Sequence, residues 1–246
     1  MKSETPMQSY LPQDIAFKII STLEVSDVCS LGSCSQFWRE LCLSDSVWKA
    51  LYRDRWPTLV LANHDSSPNF MDWKEVYARK HAETSLKAAA LIDFVEQRLS
   101  GDSIEVGNYL KAIEEIHSMM FGFHDVQMFF LKPKLNAVLN LIGLHYCIVF
   151  LNVPAKRITE TLKNHSLLDK QVCVQWWKLG RWFYGYRLRD EMQSRDISLA
   201  DLTTAKEREV LGVLQRGVVH EVLRVKITVS KPMCSPWPYQ NMPQYE

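Results

Sequence analysis

The sequence is poor in glycine, balanced in charge and without closely spaced cysteine pairs. Nine glycines among 246 residues are few for a fold that cradles phosphate in glycine-rich loops. The formal net charge is +1, so the chain as a whole has no strong attraction to nucleic acid or to a membrane surface. The six cysteines follow neither C-x-x-C nor zinc-finger spacing. We therefore expect free thiols in a reducing compartment.

Motifs of common enzyme classes are missing as well. The sequence has no phosphate loop, no G-x-G-x-x-G, no H-E-x-x-H and no G-x-S-x-G. His124 is next to Asp125, and Cys147 is the nucleophile to consider with them, but neighbours in sequence do not define a triad. We interpret residues 121–125 as the turn after a helix, with Gly122 as its C-cap. The sequence thus predicts no catalytic residue, no cofactor and no metal ligand.

The longest apolar run extends from Leu135 to Val153. It is interrupted by four polar residues, Asn136, Asn140, His145 and Asn152. A membrane span of about 20 residues tolerates few such groups. We predict a buried helix here and no membrane partner.

The chain begins with a segment typical of several short helices, residues 10–57. Pro12 can occupy a first helical turn, where a missing N–H costs nothing. Ile15, Ile19 and Leu23 follow at helical spacing, and Pro57 ends the last helix of the segment. The sequence predicts a small helical module of fewer than fifty residues.

The remaining chain divides into three parts. Residues 58–71 contain a polar run rich in turn-forming residues and are predicted to be a linker. Residues 72–224 show apolar periodicity typical of helices and predict a larger helical domain of unassigned type. Residues 222–229 alternate like a short strand, but a single strand has no ladder partner. Residues 225–246 contain several prolines and predict an extended or disordered tail. The predicted fold class is all-α.

Residues 176–189 interleave aromatic and basic side chains. The sequence predicts a helix from Asp169 to Met192. Four of its residues would lie on one side and pack in the core, namely Trp176, Leu179, Phe183 and Tyr186. Four basic residues would then face solvent as a candidate partner surface, namely Lys178, Arg181, Arg187 and Arg189. The same mixture can also stack nucleic-acid bases, so core packing and ligand binding both remain open, with core packing favoured.

An ordered series of motif residues occupies the first module. The series is Leu11-Pro12, Asp14, Ile15, Ile19, Asp27-Val28, Cys34, Trp38-Arg39, Leu41, Asp45, Trp48-Lys49 and Leu51-Tyr52. No single element is specific, but the ordered set resembles the F-box and covers about a fifth of the chain. The run Leu-Gly-Ser-Cys-Ser at residues 31–35 is similar to plant members of that family.

The resemblance implies a helical module that docks on a Skp-type adaptor, which bridges to a cullin. A module of this size buries too little surface to be robust alone, so another chain should cover part of its apolar faces. The implied adaptor contacts are Leu11, Pro12, Ile15, Ile19, Leu23, Leu31, Trp38, Leu41 and Trp48. Trp38 and Trp48 fit internal core equally well, whereas an exposed Leu11-Pro12 pair favours contact.

Two functions follow as hypotheses. In the first, the protein is a non-catalytic substrate receptor that recruits an unknown target protein to a cullin ubiquitin ligase. In the second, it is a Skp-bound regulatory or scaffolding protein without ligase activity, and its aromatic-basic helix contacts a ligand or nucleic acid. Nucleic acid is the disfavoured partner, because the chain carries almost no net charge. The family implies a location in the cytoplasm, the nucleus or both.

Overall fold

The computed structural model describes residues 11–57, 72–204 and 207–230. The chain falls into two compact units that divide between Ala90 and Leu91. The predicted linker, residues 58–71, lies outside the described residues, as do residues 231–246 of the predicted tail.

The first unit contains short helices. Their bounds are α1 (Gln13–Ile20), α2 (Val25–Cys34), α3 (Gln36–Cys42) and α4 (Asp45–Arg55), and a long helix α5 (Trp73–Arg98) begins in the same unit. Pro12 immediately precedes α1, and its carbonyl oxygen accepts bonds from the Ile15 and Ala16 amides. Ser35 caps α3 by accepting a hydrogen bond from the Trp38 amide at 3.3 Å. The prediction of several short helices in residues 10–57 is confirmed.

The second unit combines helices and strands. Its remaining elements in chain order are β1 (Ser103–Glu105), α6 (Val106–Ser118), α7 (Phe123–Phe129), α8 (Ala137–Val149), α9 (Ala155–Asn164), β2 (Gln171–Lys178), β3 (Trp182–Phe183), β4 (Tyr186–Arg187), β5 (Glu191–Ser198), a short 3-10 helix (Asp201–Thr203), α10 (Arg208–Arg216) and β6 (Val222–Val229).

Four strands form an antiparallel sheet in the order β1–β6–β2–β5, and β3 pairs with β4 in a separate hairpin. The predicted all-α fold class is therefore wrong, because the predominantly helical domain expected at residues 72–224 contains strands. The strand expected at residues 222–229 exists as β6, but it is not alone, since it pairs with β1 and β2. The predicted tail begins too early, because residues 225–229 belong to β6.

Buried and partly buried residues alternate along β2, which explains why this segment is a strand. Val172, Val174 and Trp176 are buried, whereas the residues between them are only partly buried, which is the period of two expected for a sheet with one face on the core. Val174 lies opposite Ile227 and Trp176 opposite Val225 in β6. Residues 171–178 thus form a strand and not part of a helix, so the helical spacing that predicted a stripe from Trp176 to Tyr186 does not apply to this region.

The predicted buried helix is confirmed as α8. Nearly all of its residues are buried, and its polar side chains have partners. The Asn140 side chain donates to the Phe130 carbonyl at 2.6 Å, and the Asn136 side chain caps the helix by accepting from the Val138 amide at 2.9 Å. Among the described residues, no helix combines the length and the apolar character needed to cross a bilayer.

Candidate protein-interaction surfaces

The first surface lies on α1, which is apolar on two sides. Ala16 and Ile20 face inward and are fully buried. Pro12, Ile15 and Ile19 follow one another three and four residues apart, so they form a stripe on the other side. Ile15 is 49% exposed and Ile19 is 40% exposed. We call Pro12, Ile15 and Ile19 the outer stripe.

The inner side of α1 is held by a small core. Its buried members are Ala16, Ile20, Val28, Leu41, Cys42 and Val47. Burial raises the pKa of the Cys42 thiol, and nearby Cys29 and Cys34 raise it further, so Cys42 behaves as a small apolar core residue. This core fixes α1 against α2 and α3, and it leaves the outer stripe without cover among the described residues.

The other predicted adaptor contacts lie deeper than the outer stripe. Four are half-buried against the same core, namely Leu11, Leu23, Leu31 and Trp38. Two are buried, Leu41 and Trp48. The Trp48 indole N–H donates to the Cys42 carbonyl at 2.8 Å, so Trp48 satisfies its polar atom inside the module. Leu41 and Trp48 are therefore core residues of this unit, which is one of the two roles expected for Trp48.

Sequence reasoning missed a second cluster that joins α4 to the start of α5. Its buried members are Trp48, Tyr52, Trp56 and Tyr77. The Arg55 guanidinium donates to the Tyr77 hydroxyl at 2.8 Å and lies over the Trp56 ring, 4.5 Å from its centroid. The signal in the sequence was the spacing of Trp73 and Tyr77, four residues apart at the start of a helix. The first compact unit therefore contains more than the predicted module.

The second surface is a hairpin that carries the aromatic-basic residues. We call residues 179–190 the aromatic hairpin. Trp176 lies at its base and is buried, as predicted. Leu179, Phe183 and Tyr186, which were predicted to share its core stripe, are exposed, so that prediction is wrong. The segment is a hairpin and not a helix, so the spacing of three and four residues that defines a helical stripe does not predict which of its side chains are buried.

The turn chemistry of the aromatic hairpin explains its shape. Tyr184 and Gly185 connect β3 to β4 with φ of 48° and 82°. Two consecutive positive φ angles are the mark of a type I′ turn, whose twist suits a two-residue hairpin. Gly180 is required at the base, because a Cβ there would lie 2.0 Å from the Leu188 carbonyl oxygen. The glycine at position 185 was the clue in the sequence.

Two of the four basic residues predicted as a partner surface form ion pairs with acidic side chains. Arg187 contacts Asp190 at 2.8 Å, and Arg181 lies 3.7 Å from Glu221. Asp190 also accepts from the Gly180 amide at 2.9 Å, and these bonds lower the pKa of its carboxyl, with the Gly180 bond contributing most. Among the residues that the structure describes, no ion pair involves the other two predicted partner cations, Lys178 and Arg189.

The residues considered for chemistry serve the fold. Cys147 is buried on α8, and burial raises the pKa of its thiol to about 12, so thiolate is scarce near neutral pH. The Asp125 carboxylate accepts from the Gly122 amide at 3.2 Å. Gly122 therefore begins α7 as its N-cap, and its predicted role as a C-cap is wrong. Within the described ranges, no three metal-ligating side chains come together.

Comparison with known proteins identifies the first module. Residues 8–54 match the F-box-like family. Two relatives, F-box only protein 21 of Pongo abelii and of Homo sapiens, are 26% identical over 136 residues. The match covers 54% of this chain and 20% of each relative, so the chain spans about a fifth of their length. No solved structure matches the chain. The suggested likeness to plant members is not supported, since both relatives are mammalian.

Proposed function

We propose that the chain, whose residues 8–54 match the F-box-like family, binds a Skp-type adaptor and, through it, a cullin ubiquitin ligase. In this role it is a non-catalytic receptor that brings an unknown target protein to the ligase. A separate conjugating enzyme supplies the chemistry. The cytoplasm or the nucleus is the compartment that fits this proposal.

The outer stripe is the observation that carries the proposal. Three apolar residues are exposed on a helix whose neighbouring face is already packed. Exposed apolar area that the module cannot cover by itself is typical of a protein-binding surface. Ile15 and Ile19 are its centre, and the half-buried Leu11 lies just before the helix. An adaptor that covers this stripe would complete the burial of α1.

The test is a charge placed on the outer stripe. We expect Ile15→Glu with Ile19→Glu to lower adaptor affinity at least about 100-fold, because two carboxylates would be buried unpaired in an apolar interface. Both side chains are exposed in the free chain, so the variant should fold. The measurement is titration of the full chain with a purified Skp-type adaptor, with circular dichroism as the check on folding.

The matched control is Leu86→Glu, which changes another exposed apolar residue of the same compact unit. Adaptor affinity should be unchanged in this control. Unaltered adaptor affinity in the stripe variant would contradict the proposed interface. A complex that holds the adaptor but fails to take up a cullin would instead favour the second hypothesis, an adaptor-bound regulatory protein without ligase activity.

A further inference from the structure

We propose that the aromatic hairpin is the surface that captures the target, and that it binds a protein segment in which acidic and apolar residues alternate. The inference rests on the proposed function, because it assigns the target-binding role to a defined part of the second unit. The four basic residues predicted as a partner surface belong to it or lie at its base, and the structure adds the aromatic side chains beside them.

Strand register sorts the hairpin residues onto two faces. Phe183 is directly opposite Tyr186, and the Leu188 amide donates to the Arg181 carbonyl at 2.9 Å. Cross-strand partners share a face, so one face carries Arg181, Phe183, Tyr186 and Leu188. Trp182 is opposite Arg187 on the other face. Each face therefore combines aromatic surface with at least one guanidinium group.

The aromatic side chains of the hairpin are largely exposed to solvent. Trp182 is 74% exposed, Tyr186 is 78% exposed and Tyr184 at the tip is 87% exposed. Large apolar residues gathered in one place on the surface mark an interaction site. Tryptophan, tyrosine and arginine are also the residues that contribute most energy to protein interfaces. The composition of the hairpin is that of a binding surface and not of a core.

Contacts within the chain hold both ends of the hairpin. The type I′ turn fixes its tip, and Asp190 bonds to the Gly180 amide and to Arg187 at its base. A partner then has little backbone entropy to remove when it binds. Rigid aromatic side chains with few rotatable bonds lose little entropy as well. Such a preformed surface suits a flexible peptide segment.

Charge complementarity selects an acidic segment. Lys178 and Arg189 form no ion pair in the part of the chain that the structure describes. Arg181 lies 3.7 Å from Glu221, and both of these side chains are exposed to solvent. Carboxylates in a bound segment can therefore pair with these cations. Nucleic acid fits less well, because Asp190, Glu191 and Glu221 lie among the same cations and would repel a continuous line of phosphates. The alternation of rings and cations matches a segment with alternating apolar and acidic side chains.

The experiment measures binding of labelled probes to the full chain. The test probe is a fluorescein-labelled peptide of alternating glutamate and leucine. Comparison probes of equal length alternate glutamate with serine or lysine with leucine, and oligothymidylate represents nucleic acid. Fluorescence anisotropy gives each dissociation constant. We expect the glutamate–leucine peptide to bind about tenfold tighter than each comparison probe, since it alone uses both the rings and the cations.

Two variants locate the binding site. Phe183→Thr with Tyr186→Thr removes the rings with residues that suit a strand, and Arg189→Glu reverses one charge outside β3 and β4. Each variant should raise the dissociation constant of the glutamate–leucine peptide about tenfold. The controls are Leu86→Ser, which removes another exposed apolar side chain, and Lys163→Glu, which reverses another exposed charge. Neither control should change peptide affinity.

The outcomes separate this inference from the proposed function. Equal peptide affinity in wild type and both hairpin variants, with adaptor binding intact, would overturn the inference alone. Tighter binding of oligothymidylate than of the acidic peptide would overturn it in favour of nucleic acid. A concentration-dependent dimer that either hairpin variant abolishes would overturn it in favour of a second copy. A loss of peptide affinity in Leu86→Ser or Lys163→Glu equal to the loss in the hairpin variants would also contradict the inference. Failure of the wild-type chain to bind the adaptor, with hairpin-dependent peptide binding present, would refute only the proposed function.

Discussion

At the scale of single residues, the buried pair of Tyr109 and His145 shows how the second unit accepts polar groups. The Tyr109 hydroxyl and His145 Nδ1 are 2.7 Å apart, and both residues are buried. Burial raises the pKa of Tyr109 well above its usual value and lowers the pKa of His145 to about 4. Both groups are therefore neutral near neutral pH, and their hydrogen bond offsets the cost of burying them.

This pair predicts how stability depends on pH. In the unfolded chain the pKa of a histidine is about 6.5, so between about pH 6.5 and pH 4 the unfolded chain binds a proton that the folded chain does not. The free energy of unfolding should therefore fall as the pH drops through this window. The His145 contribution to that loss should be on the order of 3 kcal/mol.

The measurement is urea unfolding of wild type and of His145→Asn across this pH range. Asparagine keeps a hydrogen-bonding group but does not titrate. The stability advantage of wild type over the variant should shrink by about 3 kcal/mol between neutral pH and about pH 4. Parallel profiles for the two proteins would show that His145 is not held neutral by the fold.

Lys170 is a residue whose role the sequence did not reveal. Its ammonium group donates to the Pro133 carbonyl at 2.8 Å and to the Asn140 side chain at 2.9 Å. Burial lowers the pKa of Lys170. One side chain thus ties the loop before α8 to the start of β2. Nothing in the local sequence indicates this, because the acceptors are 30 or more residues away.

At the scale of secondary-structure elements, the turn of the aromatic hairpin is not optimal. Gly185 suits its positive φ, but Tyr184 also has φ of 48°. A side chain other than glycine, asparagine or aspartate is uncommon there. Type I′ turns prefer Asn-Gly. The exposed tyrosine occupies this position at a conformational cost, which is consistent with a binding role for its ring.

Replacement of this tyrosine should stabilise the hairpin and weaken binding. We expect Tyr184→Asn to favour the turn by about 0.5–1 kcal/mol and so to slow hydrogen exchange of the Leu188 amide, which bonds across the hairpin. Gly185→Val should have the opposite effect, since a β-branched residue is strained at positive φ. Exchange rates that are the same in both variants would contradict the turn assignment.

The outer stripe follows from helical spacing alone, because its three residues are three and four positions apart. Pro12, Ile15 and Ile19 were predicted as contacts on a helix, and the structure places them on one exposed side of α1. The same reasoning was wrong for residues 169–192. There the spacing of aromatic residues fitted a helix, while the buried positions Val172, Val174 and Trp176 followed the strand period of two. Both patterns were present, and local sequence could not rank them.

At the scale of the whole molecule, each compact unit has a core of its own. Ile20 is fully buried in the first unit and Leu139 is fully buried in the second. Either side chain replaced by alanine leaves a cavity that costs roughly 2–5 kcal/mol. We expect each cost to fall on the unit that contains the substitution.

Hydrogen exchange read by mass spectrometry can test this separation. Ile20→Ala should speed exchange in α1–α4 and weaken adaptor binding through the damaged module. Leu139→Ala should speed exchange in α8 and the four-stranded sheet, with adaptor affinity unchanged. Equal acceleration in both units from either substitution would show that they unfold as one cooperative body.

The sequence by itself determined the F-box module, because its helices are short and local and its motif residues lie within fifty positions of one another. It also determined that α8 is buried. A long apolar run must be covered by other elements whether they are helices or strands, so this prediction does not depend on the fold class. Only the tertiary structure decided that the second unit contains a sheet. The partners of β2 are β5 and β6, and β6 is more than 40 residues further along the chain. A strand depends on backbone hydrogen bonds to such distant segments, whereas a helix forms its own.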